Sequence, residues 1–196
     1  MNRLTCDATN AVSKRGRALA TPQPSFPADL RDWINERVLL CLVLDAVSSQ
    51  SPDRLGLRRI TRPDEDLQPC VMLSLLAFAY VTGRYASDHV EASLETDPTL
   101  RYLCANRYPT WNDIRRFRRL NRGPLTNCLE LLFRRVWALH ASGDGDLTLE
   151  PSTSPLPTGG NPASEASSVL PTVVFLAAAR ERVANAVFAD TMAMDV

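Results

Sequence analysis

Lysine is almost missing from this 196-residue chain: Lys14 is the only one, so nearly every positive charge is an arginine. Net charge is missing as well, because 22 basic and 22 acidic side chains cancel, which removes any global electrostatic argument for a partner. There is no Gly-rich phosphate loop, and the two histidines, His89 and His140, fall in separate helical patterns with no nucleophile beside either. The five cysteines (6, 41, 70, 104 and 128) form no CxxC and stand at no metal-ligand spacing from a histidine. Cys41, Cys70, Cys104 and Cys128 sit inside apolar helical patterns and read as buried thiols of a reducing compartment. No apolar run approaches the ~18–20 residues that span a bilayer, and no apolar core follows the basic residues near Lys14. Neither a membrane span nor a secretory leader is therefore expected, and the location read from this is cytoplasmic. The one dense carboxylate group, Asp144, Asp146 and Glu150, begins like a calcium loop but has Leu149 where the sixth-position glycine belongs. It reads as a polar turn. Together these absences predict no catalytic residues, no metal and no cofactor: a protein that is not an enzyme.

What is present is helix. With 45% hydrophobic residues the chain can bury one sizeable core, and its apolar residues recur at helical spacing with no internal repeat. Residues 1–27 are polar and end in a Pro-rich run, which reads as a disordered arm. From Ala28 onward, Leu30, Trp33, Ile34, Val38 and Leu42 predict a helix that ends at Ser48–Pro52. The stretch 53–66 is charged and irregular, or at most a helical turn. Leu67 to Gly83 is apolar on every side and predicts the central core helix, with Pro69 in its first turn and Gly83 as the stop. Three short helical pieces follow, the first capped by Ser87, the second opened by Asp97-Pro98, the third beginning at Pro109. Gly123-Pro124 then starts a longer helix to about His140. Residues 141–171 are rich in Pro, Ser, Thr and Gly and read as a flexible linker, and 172–196 returns as an Ala-rich, apolar helix. That last helix either docks back on the domain or mediates self-association, giving a homo-oligomer. The fold class expected is all-α: a multi-helix domain over 28–140 containing a helix-turn-helix-like unit, plus a C-terminal helix after a linker.

The charge is unevenly spread. Nine arginines lie between Arg101 and Arg135, against only Asp113 and Glu130, and a second basic group comprises Arg54, Arg58, Arg59 and Arg62. Tyr108–Arg122 concentrates the effect. Thr110 is a candidate N-cap with Asp113 three residues on, an acidic form of the capping box. Trp111, Ile114 and Phe117 form an apolar face toward a core. Asn112, Arg115, Arg116, Arg119 and Arg122 form the other face, with Arg118 at the boundary, where an ion pair with Glu91, Glu95 or Asp97 would make it structural. Arginine suits bidentate contacts to phosphate and guanine, and asparagine suits adenine. The candidate DNA-binding residues are thus Asn112, Arg115, Arg116, Arg119 and Arg122, with Arg107, Arg134 and Arg135 on the phosphate backbone.

The order of pieces resembles the InsH-type N-terminal domain of bacterial insertion-sequence (DDE) transposases over roughly residues 25–140. The resemblance is carried by Pro27 to Arg31, Tyr80 to Gly83, Ser87 to Glu91, Asp97, and Pro109 with Ile114, Phe117 and Arg118. It implies binding to double-stranded DNA at the ends of an element. In that family an RNase H-like domain with metal-binding carboxylates follows; here a Pro/Ser/Gly-rich stretch and one helix stand instead, so the resemblance implies recognition without chemistry. The family's acidic residue near the start of the last short helix is also replaced, by Thr110 and Trp111. The alternative reading is an all-α oligomerisation or protein-interaction domain, or a decayed transposase fragment, that binds no DNA.

Overall fold

Pro69–Val81 is the centre of the molecule, and every residue from Met72 to Val81 is buried. A helix without a polar stripe has to be covered on all sides, and this one is touched by five other helices. Gly83 closes it at φ 78°, a backbone conformation in which any other side chain would be strained. A computed structural model of the chain describes residues 26–50, 56–61, 66–142 and 172–193. The arm over 1–25, the linker over 143–171 with its carboxylate turn, and Arg54 and Arg62 lie outside the described residues. In order, the helices are α1 (Glu36–Ser48), α2 (Pro69–Val81), α3 (Ser87–Thr96), α4 (Pro98–Leu103), α5 (Trp111–Leu120), α6 (Arg122–Ala141) and α7 (Thr172–Met192). They pack into an all-α domain around one hydrophobic cluster to which α1, α2, α3, α6 and α7 all contribute.

Two local expectations are corrected. The helix expected from Ala28 starts later: a 3-10 turn at Leu30–Asp32, capped by the Asp29 carboxylate, is followed by α1 only after Asn35, whose side chain accepts from the Arg37 N–H at 2.8 Å. Asp29 and Asn35 each offer the backbone a local acceptor, and two caps six positions apart cannot lie within one continuous helix. The stretch after α1, expected to be irregular, contains a minimal antiparallel ladder, β1 (Ile60–Thr61) with β2 (Asp66–Leu67).

The C-terminal helix docks back. Its buried face, Phe175, Ala179, Val183 and Ala186, lies mainly against α6, which it contacts more than any other helix. Phe26, Trp33, Phe133, Trp137 and Phe175 form an aromatic cluster, with ring centroids 4.6–6.1 Å apart, that joins the N-terminal lead-in to α6 and α7. His140 stacks on Trp33 at 4.2 Å and belongs to this cluster. Phe26 is thus an anchor, although the sequence reading placed it in the arm. Arg182, buried on α7, donates to the Pro27 and Ala28 carbonyls and to the Tyr85 hydroxyl, so α7 clasps the lead-in to the first helical turn. No helix is long and apolar enough, among the described residues, to cross a membrane.

Candidate nucleic-acid interface

The position of α5 is fixed at its first turn. The Thr110 N–H donates to Asp113 Oδ2 at 2.9 Å, and the Asp113 N–H donates to the Thr110 hydroxyl, completing the expected capping box. Ile114 and Phe117 are fully buried and hold the helix down. Trp111 does not join them. It is 46% exposed, its backbone N–H donates to the Glu91 carboxylate of α3 at 3.1 Å, and its ring centroid lies 5.3 Å from the Arg115 guanidinium. The buried side of α5 is instead made of Asp113, Ile114, Phe117 and Arg118.

Arg118 is structural, as one reading of the boundary position allowed, but its partner is none of the three carboxylates considered. It is buried and donates to Asp190 of α7 and, at 3.1 Å, to the Tyr80 hydroxyl of α2. Asp190 accepts in turn from the Ser87 N–H at 2.8 Å and the Ser87 hydroxyl at 2.9 Å. The cap of α3 is therefore supplied from α7: Ser87, expected as the N-cap, is the first helical residue, and Ala86 precedes it with no capping side chain. Arg115 also reaches Asp190, at 3.4 Å. One carboxylate thus ties α3, α5 and α7 together.

The other candidate residues divide into two groups. Arg134 pairs with Glu130 at 2.8 Å and lies over the Phe175 ring, and Arg135 pairs with Asp45 of α1. These two, with Arg115, are engaged by carboxylates of the protein itself. Arg107 is exposed in the turn before α5, where Ala105 and Asn106 both have positive φ. Asn112, Arg116, Arg119 and Arg122 are exposed, and the three arginines form no ion pair among the described residues. Beside them, Arg115, Arg118, Arg119 and Arg122 line a depression of about 200 Å³ whose one described carboxylate is Asp190.

The fold adds a neighbour that the sequence reading kept apart. Asn121, fully buried between α5 and α6, accepts from the Arg58 N–H at 2.7 Å and donates to the Arg58 carbonyl at 3.0 Å. This clamp brings the backbone of the second basic group to the end of the arginine row, with Arg58 itself exposed. A polar residue between two helical runs was the available signal, though spacing alone could not say what it would bind. No group of His, Cys, Asp and Glu able to hold a metal occurs among the described residues.

The buried polar centre has a pH signature. Burial pushes the Tyr80 hydroxyl up from 10.0 to about 12, against the opposing pull of the Arg118 guanidinium. Burial likewise pushes the Cys128 thiol of α6 from 9.0 to about 12. Both groups stay protonated in the folded state while the unfolded chain ionises, so their contribution is whole below pH 9 and is lost as pH rises through 12. Urea unfolding at pH 11 should show roughly 2–4 kcal/mol less stability than at pH 8. Tyr80→Phe should flatten the tyrosine part of that slope.

Compared with protein-family models, with curated proteins and with solved structures, the chain matches none.

Proposed function

We propose that this chain is a transposase-derived DNA-binding module, inactive as a catalyst alone, that recognises the ends of an insertion sequence as double-stranded DNA. The observation that carries the reading is Asn112, Arg116 and Arg119 on α5, with Arg122 at the start of α6: all exposed, the arginines without an ion-pair partner among the described residues, and α5 held by a capping box and two buried anchors. Exposed guanidinium groups held on fixed helices are what a phosphate backbone and guanine edges require. In this reading α4, the connection 104–110 and α5 serve as the helix-turn-helix-like unit, Arg107 and Arg58 flank it, and the depression beside Arg119 and Arg122 receives a phosphate. Arg115, Arg134 and Arg135 contribute field more than contact, because each already has a carboxylate. The chain would act in the cytoplasm, where it could compete with an intact transposase for element ends.

Fluorescence anisotropy on a labelled duplex bearing an element end, titrated at several salt concentrations, tests this. Binding should weaken with a slope near one log unit per contacted phosphate. Arg116→Ala with Arg119→Ala should reduce affinity by about 10–100-fold and lower that slope by about two. No binding at low salt, or binding indifferent to the pair, would sink the proposal.

A further inference from the structure

With one face of α7 committed to the domain, the opposite face remains, and its chemistry reads the same in both directions. Val173, Ala177, Arg180, Glu181, Ala184 and Phe188 are all exposed, Val173 at 73% and Phe188 at 63%. At 100° per residue they fall in one stripe about 80–100° wide, opposite the buried Phe175, Ala179 and Ala186. The stripe is symmetric about the peptide between Arg180 and Glu181. The residues seven positions outward from Arg180 and from Glu181 are Val173 and Phe188, and those three positions outward are Ala177 and Ala184.

We infer that this face is the interface of an antiparallel homodimer, in which a second copy's α7 lies across the first about a two-fold axis through the middle of the stripe. In that register Val173 of each chain meets Phe188 of the other, the alanines face each other, and Arg180 meets the opposite Glu181, twice over. A two-fold contact has to be self-complementary, and this one is so in charge as well as shape: two alanine pairs allow close approach at the centre, and two ion pairs fix the direction. Arg180 and Glu181 have no partner within their own helix. The positions three and four away from Arg180 are Leu176, Ala177, Val183 and Ala184, those around Glu181 are Ala177, Ala178, Ala184 and Asn185, and neither side chain forms an ion pair among the described residues. Along one edge the stripe opens into an apolar groove between α6 and α7, about 770 Å³ in volume, lined in part by Leu176, Val183 and Val187.

The charges supply a test that checks itself. Sedimentation of the full chain without DNA, over loading concentrations up to about 100 µM, should show a reversible monomer–dimer equilibrium. Arg180→Glu sets glutamates against glutamates at both pairs, and Glu181→Arg does the same with arginines, so each should weaken the dimer by about tenfold or more. Combining the two restores both pairs with their signs exchanged and should bring the dimer back. Because the side chains are exposed and form no ion pair among the described residues, thermal melts of all three variants at dilute, monomeric concentration should match the parent. A parent that stays monomeric overturns the inference, as does a dimer indifferent to the single reversals or not rescued by the double one. Any of these would leave the DNA reading standing, since no DNA enters the measurement.

Discussion

Asp190→Ala should cost about 3–5 kcal/mol of unfolding free energy, the range for removing one partner from a buried ion pair. Arg118 is 5% exposed and Asp190 6%, so neither can turn to water when the other is removed. The loss is wider than one pair. Arg118 would keep only the Tyr80 hydroxyl at 3.1 Å and the Ser87 hydroxyl at 3.5 Å, two neutral acceptors for a full charge. The Ser87 N–H, in the first turn of α3, would lose its acceptor altogether, a cost of about 1–3 kcal/mol that overlaps with the first because the groups share one network. Asp190→Asn keeps the shape and one acceptor oxygen, and should fall between the parent and the alanine variant. Asp45→Ala is the control: its pair with Arg135 is exposed, and an exposed pair contributes about 0–1 kcal/mol. Denaturant unfolding of the four proteins is decisive. If Asp190→Ala is no worse than Asp45→Ala, the network does not hold the three helices together.

That network also marks where the sequence ceased to be legible. Local signals were easy to read. The capping box at Thr110 and Asp113, the all-apolar Pro69–Val81 helix, the Gly83 stop and the Asp97-Pro98 start depend on neighbours within four or five positions, and all are found in the structure. The exposure of Asn112, Arg116 and Arg119 followed from periodicity around the buried Ile114 and Phe117. Partners were another matter. Arg118 and Asp190 are 72 positions apart, and the segment between them includes a Pro/Ser/Gly-rich stretch that carries no periodicity to propagate a register. Glu91, Glu95 and Asp97 were nearer in the chain, and nearness was the only available guide. Trp111 failed for a different reason. Helical spacing assigns a face but not a depth, and Trp111 stands at the first residue of the helix, at the edge of the face that Ile114 and Phe117 bury. The clamp of Asn121 on Arg58 was equally invisible, because nothing in either segment reports the other.

A chain ending at Ser142 should lose its cooperative unfolding transition, although the sequence order makes the last helix look like an appendage. Removal of α7 uncovers the surfaces that bury Phe175, Ala179, Val183 and Ala186, and each large apolar side chain among these contributes about 1.5–3 kcal/mol. It also takes from Arg118 its carboxylate, and it frees the Pro27 and Ala28 carbonyls and the Tyr85 hydroxyl from Arg182. Together these losses reach the whole of a typical domain stability of about 5–15 kcal/mol. The expected product keeps part of its helix signal but loses near-ultraviolet circular dichroism and binds a hydrophobic dye. A synthetic peptide of residues 172–193 should restore the transition when added in excess, because it binds only the folded state and stabilises it by mass action. The same peptide carrying Asp190→Ala should do so far less well. A truncated chain that melts like the parent would mean that the domain is complete without α7. Complementation has a bearing on function as well. The Asp190 carboxylate holds both Arg115 and Arg118 of α5, so a helix delivered in trans should restore the fixed arginine row and, with it, the salt-dependent binding to duplex DNA that the proposed function requires.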